Sequence, residues 1–144
     1  MRSFLLPTLV VLAGCTQFET SPPDAPEKPV EITAPPPPAN ARTVEEFDTT
    51  SEAEREAAAS TGSGGRLLGE TVASLGDPGL PGFWMMTSMV QSETPGRLDY
   101  PAGGTSVEVT LIPTEGASAR VSLAALRLLN APLADLSTLE VYAR

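Results

Sequence analysis

The chain of 144 residues contains no histidine, and this absence excludes several kinds of active site. Histidine is the side chain most often used as a general base near neutral pH, and it is also the commonest metal ligand. Sites of the Ser-His-Asp and Cys-His types are therefore excluded. Since no cluster of metal-ligating residues takes its place, we expect neither a metal ion nor another cofactor.

Positive charge is also scarce. Nine lysine and arginine residues stand against 18 aspartate and glutamate residues, so the formal net charge is -9. A net negative charge is repelled by the negatively charged phosphate backbone of a nucleic acid. We therefore expect no nucleic-acid partner.

A long apolar run is missing as well, although the chain begins with a short one. Residues 3–14 are mostly apolar and follow a positive start at Arg2. At about 1.5 Å per residue they span about 18 Å, which is short of the roughly 30 Å of a hydrocarbon core. The pattern therefore predicts that residues 1–14 are a cleaved export signal rather than a membrane helix.

The single cysteine, Cys15, ends this run in the sequence Leu12-Ala13-Gly14-Cys15. This sequence resembles the lipobox of bacterial lipoproteins, which implies that lipid is attached to the cysteine sulfur and that the chain is cut just before it. Two alternatives are secretory cleavage after Ala13 and a buried structural cysteine. An exported chain with no second cysteine cannot form an internal disulfide, and this favours the anchor.

The resemblance also implies a destination. Two or three acyl chains, each methylene contributing about 0.8 kcal/mol, give durable membrane attachment, whereas one chain alone does not. Thr16 follows the cysteine, where an aspartate marks inner-membrane retention in enteric bacteria. The resemblance therefore implies the outer membrane, with the protein facing the periplasm.

A proline-rich stretch follows the anchor. Residues 22–38 contain 8 prolines and few large apolar side chains, so they cannot bury enough surface to offset the entropy of folding. We interpret residues 15–42 as a lipid anchor and disordered tether, with a reach of roughly 80 Å at about 3.1 Å per residue. Residues 43–64 are predicted to form a short charged helix, with a capping box of Ser51 and Glu54, and a Gly/Ser joint.

The remaining residues, 65–144, are predicted to form a small, mainly β, barrel-like domain with one short helix. Strands are expected at residues 70–76, 83–91, 105–113 and 138–144. The third of these alternates cleanly between apolar and polar side chains. Ser122 is expected to cap the helix that follows it, at residues 123–130.

Large aromatic and sulfur-containing side chains run together only at Phe83, Trp84, Met85 and Met86. We predict that Phe83 and Met85 belong to the core, because a small domain without disulfides needs its large side chains for packing. Trp84 is expected to be the most exposed of the four, since tryptophan often anchors ligands at strand ends. Trp84, Asp77 and Tyr100 are the candidate ligand-facing residues.

Four blocks resemble a group of small alphaproteobacterial lipoproteins: RTVEEFDTTS, LLGETVASLGDPGLPGFWMMTSMV, LIPTEG and VSLAALRLLNAPL. The resemblance covers nearly the whole chain after Cys15. Members of that group often carry the label D-galactarate dehydratase. The residues here do not support that activity, because the enzyme of that name is a much larger metal-dependent protein.

A second resemblance covers about the last 75 residues, from the opening strand at Gly69 to the final strand. These residues are similar to the double-psi β-barrel of rare lipoprotein A, a family that cleaves peptidoglycan glycan strands with an acidic residue and a histidine. Here Ser122-Leu123 stands where the family has Asp-Leu, and histidine is absent. Asp135-Leu136-Ser137 matches the Asp-Leu-Ser of the family, but it lies after the predicted helix and not at the position of the family's motif. The resemblance therefore implies the barrel without its hydrolytic chemistry.

Three functions follow from these observations. The first is a non-catalytic, membrane-anchored envelope lipoprotein that binds peptidoglycan, another envelope glycan or an envelope protein. The second is an unrecognised enzyme of the same barrel type, which would have to rely on carboxylates such as Asp77, Asp99 or Glu115. The third is a structural or assembly accessory lipoprotein. A groove lined by aromatic rings and a carboxylate favours a glycan, whereas an exposed apolar patch favours a protein.

Overall fold

The computed structural model describes residues 34–59 and 64–144. Cys15, the predicted export signal, most of the predicted tether and residues 60–63 of the predicted joint lie outside the described residues. The described helices and strands, in chain order, are α1 Val44–Phe47, α2 Glu52–Ala59, β1 Arg66–Leu75, β2 Trp84–Thr87, β3 Thr94–Tyr100, β4 Thr105–Pro113, β5 Ala119–Val121, α3 Leu123–Leu128 and β6 Ser137–Ala143.

The six strands close into a barrel in the order β1-β5-β2-β4-β3-β6. The β1–β5 and β2–β4 pairs are parallel, and the other four pairs are antiparallel. Closure removes the unpaired edges that an open sheet would present. The prediction of a mainly β, barrel-like domain is confirmed.

The barrel interior is filled by alternate side chains of the strands. Val107, Val109 and Leu111 of β4 are at most 1 % exposed, whereas Glu108 points to the outer surface. The alternation predicted for residues 105–113 is therefore confirmed, and β4 begins and ends where the sequence places it. The largest fully buried side chains that belong to the same core cluster in the other elements pack around this row: Met85, Leu98, Val121, Leu126, Leu129, Leu139 and Val141.

Helix α3 closes the core between β5 and β6. Ser122 is its N-cap, as predicted, and its hydroxyl accepts a hydrogen bond from the Ala125 N–H at 3.3 Å. At the other end Asn130 adopts a left-handed conformation with φ 53°, and the Ala131 N–H donates to the Leu126 carbonyl at 3.0 Å. This arrangement satisfies carbonyl groups that the helix would otherwise leave without partners.

Two strands of the barrel were not predicted. β3 contains Pro95, Gly96 and two charged residues, a composition that does not favour a strand. Gly96 is needed there, because a Cβ atom would lie 2.7 Å from the Tyr142 carbonyl oxygen of the neighbouring strand β6. β5 has only three residues, too few for a recognisable alternation. β2 ends at Thr87, so the strand predicted at residues 83–91 is shorter than expected.

Residues 34–59, here called the strap, lie against the barrel. Asp48 of the strap forms an ion pair with Arg127 of α3 at 2.7 Å, and the Asp48 side chain is only 2 % exposed. Ala58 of α2 is buried and belongs to the hydrophobic core cluster. The predicted capping box of α2 is confirmed, since Ser51 and Glu54 exchange hydrogen bonds. The buried Ala58 and two ion pairs with Arg127, from Asp48 at 2.7 Å and from Glu45 at 3.8 Å, thus dock the strap on the barrel.

The first part of the strap, residues 34–42, belongs to the segment interpreted from sequence as a disordered tether. In the structure Ala34 is 7 % exposed, and the Thr49 hydroxyl donates a hydrogen bond to the Pro35 carbonyl. Proline and alanine have little side-chain entropy to lose, so few contacts suffice to hold such residues in place. In the described chain, ordered contacts are therefore present from Ala34 onwards.

Candidate functional site

A polar cleft, here called the end cleft, lies at one end of the barrel. β2 and β4 are parallel and in register up to the Thr87–Pro113 pair, so the chain leaves both strands at the same end. The two loops that follow border an open cleft with a volume of about 760 Å³. The end cleft is lined by Ser88, Val90, Gln91, Pro113, Thr114, Glu115 and Gly116.

Most of the groups that line the end cleft can form hydrogen bonds. Ser88 and Thr114 carry hydroxyl groups, Gln91 carries an amide with donors and an acceptor, and Glu115 carries the only charge. The Thr114 N–H donates to the Thr87 carbonyl at 3.1 Å, which holds the second loop against the end of β2. The end cleft is therefore suited to a neutral or cationic ligand that is rich in hydroxyl or amide groups.

Sequence reasoning did not find the end cleft as a site. Glu115 was considered only as a carboxylate for the enzyme alternative, and the loop residues Ser88, Gln91 and Thr114 were not singled out. Their types are ordinary for surface loops. Only the parallel pairing of β2 and β4, separated by β3 in the chain, brings the two loops together.

Trp84 is buried, at 1 % exposed, whereas Met86 is partly exposed. The expectation that Trp84 is the most exposed of the four residues is therefore wrong. The loop after β1 folds over the indole ring, and the indole N–H donates to the Leu80 carbonyl at 3.2 Å. Gly76 permits this approach, because a Cβ atom there would lie 2.5 Å from the ring.

The core assignment of the neighbouring residues is confirmed. Phe83 is 4 % exposed and Met85 is 0 % exposed, and both belong to the hydrophobic core cluster. Trp84 itself lines an apolar crevice of about 200 Å³, together with Leu80, Pro81 and Ile112. This crevice offers almost no polar surface with which a ligand could be oriented.

The other two candidate residues serve local structure in the barrel. Asp77 accepts a hydrogen bond from the Gly79 N–H at 2.8 Å and so stabilises the turn after β1. Tyr100 is partly buried against the core, and its carbonyl accepts a hydrogen bond from the Gly104 N–H at 2.9 Å in the turn before β4. The strand order places β4 between Tyr100 on β3 and Trp84 on β2.

The three carboxylates named for an enzyme are not brought together. β1 and β4 run in opposite directions around the barrel, so Asp77 after β1 and Glu115 after β4 lie at opposite ends. Asp99 lies on the outer face of β3, where both of its oxygens are held by Arg97 at 2.7 and 3.0 Å. No pair of these residues can act as a general acid and base on one substrate.

A row of carboxylates crosses the outer surface of β1, β6 and β3. Glu70 is paired with Glu140 in the β1–β6 register, and Asp99 is paired with Glu140 in the β3–β6 register. The Tyr142 hydroxyl donates to Glu140 at 3.0 Å, and this hydrogen bond raises the pKa of Tyr142. The hydrogen bonds with Asp99 likewise raise the pKa of Arg97.

Arg97 is the centre of the interactions at this surface. Its guanidinium lies 4.1 Å from the centroid of the Tyr142 ring, a distance typical of a cation–π contact. It also donates to the Gly64 carbonyl at 2.8 Å, which ties the chain before β1 to β3. Arg97 therefore holds Asp99, Tyr142 and the start of the barrel together.

Two further properties of the described chain concern membranes and metals. Within residues 34–59 and 64–144, no group of three or more Asp and Glu side chains is arranged to hold a metal ion. In the same ranges no helix has the length and apolar character needed to cross a bilayer.

Comparison with models of known families, with curated protein sequences and with solved structures finds no match for this chain.

Proposed function

We propose that the protein is a lipid-anchored, non-catalytic binding protein of the bacterial cell envelope, and that its barrel holds an envelope glycan in the end cleft. The observation that carries the proposal is the end cleft itself, a polar cleft of about 760 Å³ at the open ends of two parallel strands. Its volume is within the range of known small-ligand sites, which is roughly 300 to 1,000 Å³.

The groups in the end cleft support a glycan as the ligand. Hydroxyls of Ser88 and Thr114 and the amide of Gln91 can each both donate and accept, which matches sugar hydroxyls and acetamido groups. No aromatic ring lines the end cleft, so affinity has to come from hydrogen bonds rather than from stacking. Each such bond contributes about 0.5–1.5 kcal/mol net, and we therefore expect weak binding that benefits from a polymeric ligand.

The sequence supports the location and the lack of catalysis. The lipobox at Cys15 provides the anchor, and Thr16 after it favours the outer membrane facing the periplasm. The resemblance to the barrel of rare lipoprotein A points to peptidoglycan. The absence of histidine and the separation of Asp77, Asp99 and Glu115 speak against the hydrolytic chemistry of that family.

Binding to purified peptidoglycan sacculi tests the glycan proposal. We expect the full chain to co-sediment with sacculi, and Thr114→Val to weaken binding about fivefold, the equivalent of one hydrogen bond. Thr138→Val, on the outer surface of β6, is the matched control and should bind as the wild type does. Equal binding by Thr114→Val and Thr138→Val, or no binding by the wild type, would contradict the proposal.

Metabolic labelling with a fatty acid tests the anchor. Cys15→Ser should lose the label and move from the membrane to the soluble periplasmic fraction, because the lipobox offers no other acceptor sulfur. A Cys15→Ser variant that is labelled as strongly as the wild type would exclude lipidation at this residue.

A protein partner is the second candidate, and one observation favours it. Leu67 and Val72 on β1 are 52 % and 51 % exposed, and Leu136, which directly precedes β6, is 68 % exposed. They are three of the five large apolar side chains that are exposed in the described chain. Apolar side chains that cluster on one face are typical of protein contact surfaces.

A further inference from the structure

We infer that the outer surface of β1 and β6 docks a segment of another protein in which a lysine or arginine is flanked by aliphatic side chains. This surface, here called the partner face, is formed by Leu67, Glu70, Val72, Leu136 and Glu140. The inference deepens the protein-partner candidate and is independent of the end cleft.

The register of β1 and β6 sets the order of side chains on the partner face. Glu70 lies opposite Glu140, and Val72 lies opposite Thr138. On β1 the exposed Val72 follows Glu70 by two residues. The register shift between Leu67 and Gly69 brings the exposed Leu67 opposite Tyr142, on the same face as Glu70, so an apolar side chain stands on each side of the carboxylate. Outward side chains recur at about 6.6–6.8 Å along a strand, which is the same repeat that a bound extended segment has.

The carboxylates at the centre of the partner face are not neutralised by the fold. Like charges directly opposite each other on neighbouring strands are destabilising. Glu140 receives one hydrogen bond from the neutral Tyr142, whereas Glu70 has no hydrogen bond or ion pair among the residues that the structure describes. Arg97, the nearest basic side chain in the row, is taken up by Asp99 at 2.7 Å. A lysine or arginine of a bound partner would meet two carboxylates, Glu70 and Glu140, that have no ion pair among the described residues.

The charge of the partner face decides between possible occupants. An anionic membrane surface or a nucleic acid would be repelled by Glu70 and Glu140. A second copy of this chain would bring its own acidic row to the contact, with a net charge of -9 on each chain. The only lysine of the chain, Lys28, has Glu27 before it and Glu31 close behind it, so its own segment supplies no net positive charge. A basic, apolar segment of a different protein is the complementary occupant.

Fluorescence anisotropy with labelled synthetic peptides tests this inference. The probes are peptides with the repeats Val-Ser-Lys-Ser (the Lys/Val peptide), Val-Ser-Glu-Ser (the Glu/Val peptide) and Ser-Ser-Lys-Ser (the Lys/Ser peptide), each titrated with the full chain. In an extended peptide these repeats place the named side chains on one face. We expect the Lys/Val peptide to bind more tightly than the other two, since it alone supplies both the charge and the apolar side chains. Its affinity should also fall with added salt.

Two variants locate the binding. Glu70→Gln should weaken binding of the Lys/Val peptide by at least about threefold, and Val72→Ser should weaken it as well, while both exposed substitutions leave the fold intact. Glu115→Gln removes a carboxylate of the end cleft and is the matched control, which should bind the peptide as the wild type does. Equal affinity for the Lys/Val and Glu/Val peptides, or unchanged binding in Glu70→Gln, would overturn the inference.

The remaining occupants are distinguished by two further measurements. If sedimentation shows a concentration-dependent dimer and Val72→Ser disrupts it, the partner face is a self-association surface and the inference is wrong. If the chain binds anionic vesicles and Val72→Ser abolishes this binding, the partner face contacts membranes and the inference is wrong as well. Glu70→Gln should leave sacculus binding unchanged, and Thr114→Val should leave peptide binding unchanged. The experiments can therefore contradict the inference about the partner face without contradicting the proposal about the end cleft, and the reverse.

Discussion

Two buried serines in similar surroundings should respond in opposite ways to replacement by alanine. Ser122 is fully buried, and its hydroxyl oxygen accepts hydrogen bonds from two backbone N–H groups, that of Ala125 at 3.3 Å and that of Trp84 at 3.2 Å. Ser137 is 2 % exposed, and its hydroxyl has no hydrogen-bond partner among the described residues. Both substitutions remove the same atom, so the difference between them isolates the hydrogen bonds.

The expected loss for Ser122→Ala follows from these two bonds. Removal of the N-cap oxygen costs about 0.5–2 kcal/mol, and leaving the buried Trp84 N–H without a partner costs about 1–3 kcal/mol. We therefore expect Ser122→Ala to lower the free energy of unfolding by about 2–4 kcal/mol. Ser137→Ala removes a buried polar atom that has no partner, and we expect a change within about 0.5 kcal/mol or a gain of up to about 1 kcal/mol.

Urea unfolding of the full chain measures both changes. Trp84 is the only tryptophan and is buried under the loop after β1, so its fluorescence changes when β2 and this loop unfold and the indole becomes exposed to water. The comparison requires equal slopes of the unfolding free energy against urea, because a changed slope would indicate a changed denatured or native state. A loss below about 1 kcal/mol for Ser122→Ala, or an equal loss for the two variants, would refute the assignment of these hydrogen bonds.

Three further predictions concern the core, the strap and the outer surface. Phe83→Ala should lower the free energy of unfolding by about 3–5 kcal/mol, because the side chain is buried in the core cluster, and a thermal melt equal to that of the wild type would contradict this. Asp48→Ala removes the ion pair with Arg127 and should make the strap more sensitive to limited proteolysis while the barrel resists; unchanged cleavage would show that the pair does not hold the strap. The hydrogen bond to Glu140 raises the pKa of Tyr142 in the folded protein. The contribution of this hydrogen bond to stability is therefore complete below about pH 10 and is lost as the pH rises through the pKa of Tyr142 in the folded protein. When the pH is raised from neutral to above 10, the free energy of unfolding, measured with urea, should therefore fall less for Tyr142→Phe than for the wild type. An equal fall in both proteins would contradict a stabilising hydrogen bond.

The sequence by itself determined the elements whose signals are local. β4 alternates over nine residues, and its inward row of Val107, Val109 and Leu111 is buried as the alternation predicts. Ser122 caps α3 because its side chain reaches the N–H three residues later, a distance within the same turn. The capping box of Ser51 and Glu54 has the same cause. In both caps the residues that give the signal are also hydrogen-bonded to each other, and in β4 the signal is the alternation of its own side chains.

Only the tertiary structure decided the burial of Trp84 and the position of the end cleft. The indole is covered by the loop after β1, and this packing depends on Gly76 rather than on any pattern around the tryptophan. The end cleft exists because β2 and β4 are parallel neighbours although β3 separates them in the chain. β3 itself, with Pro95 and Gly96, becomes a strand because β4 and β6 supply hydrogen-bonding partners on both sides. The strand pairings join residues far apart in sequence, so the geometry that creates the end cleft appears only when the barrel closes.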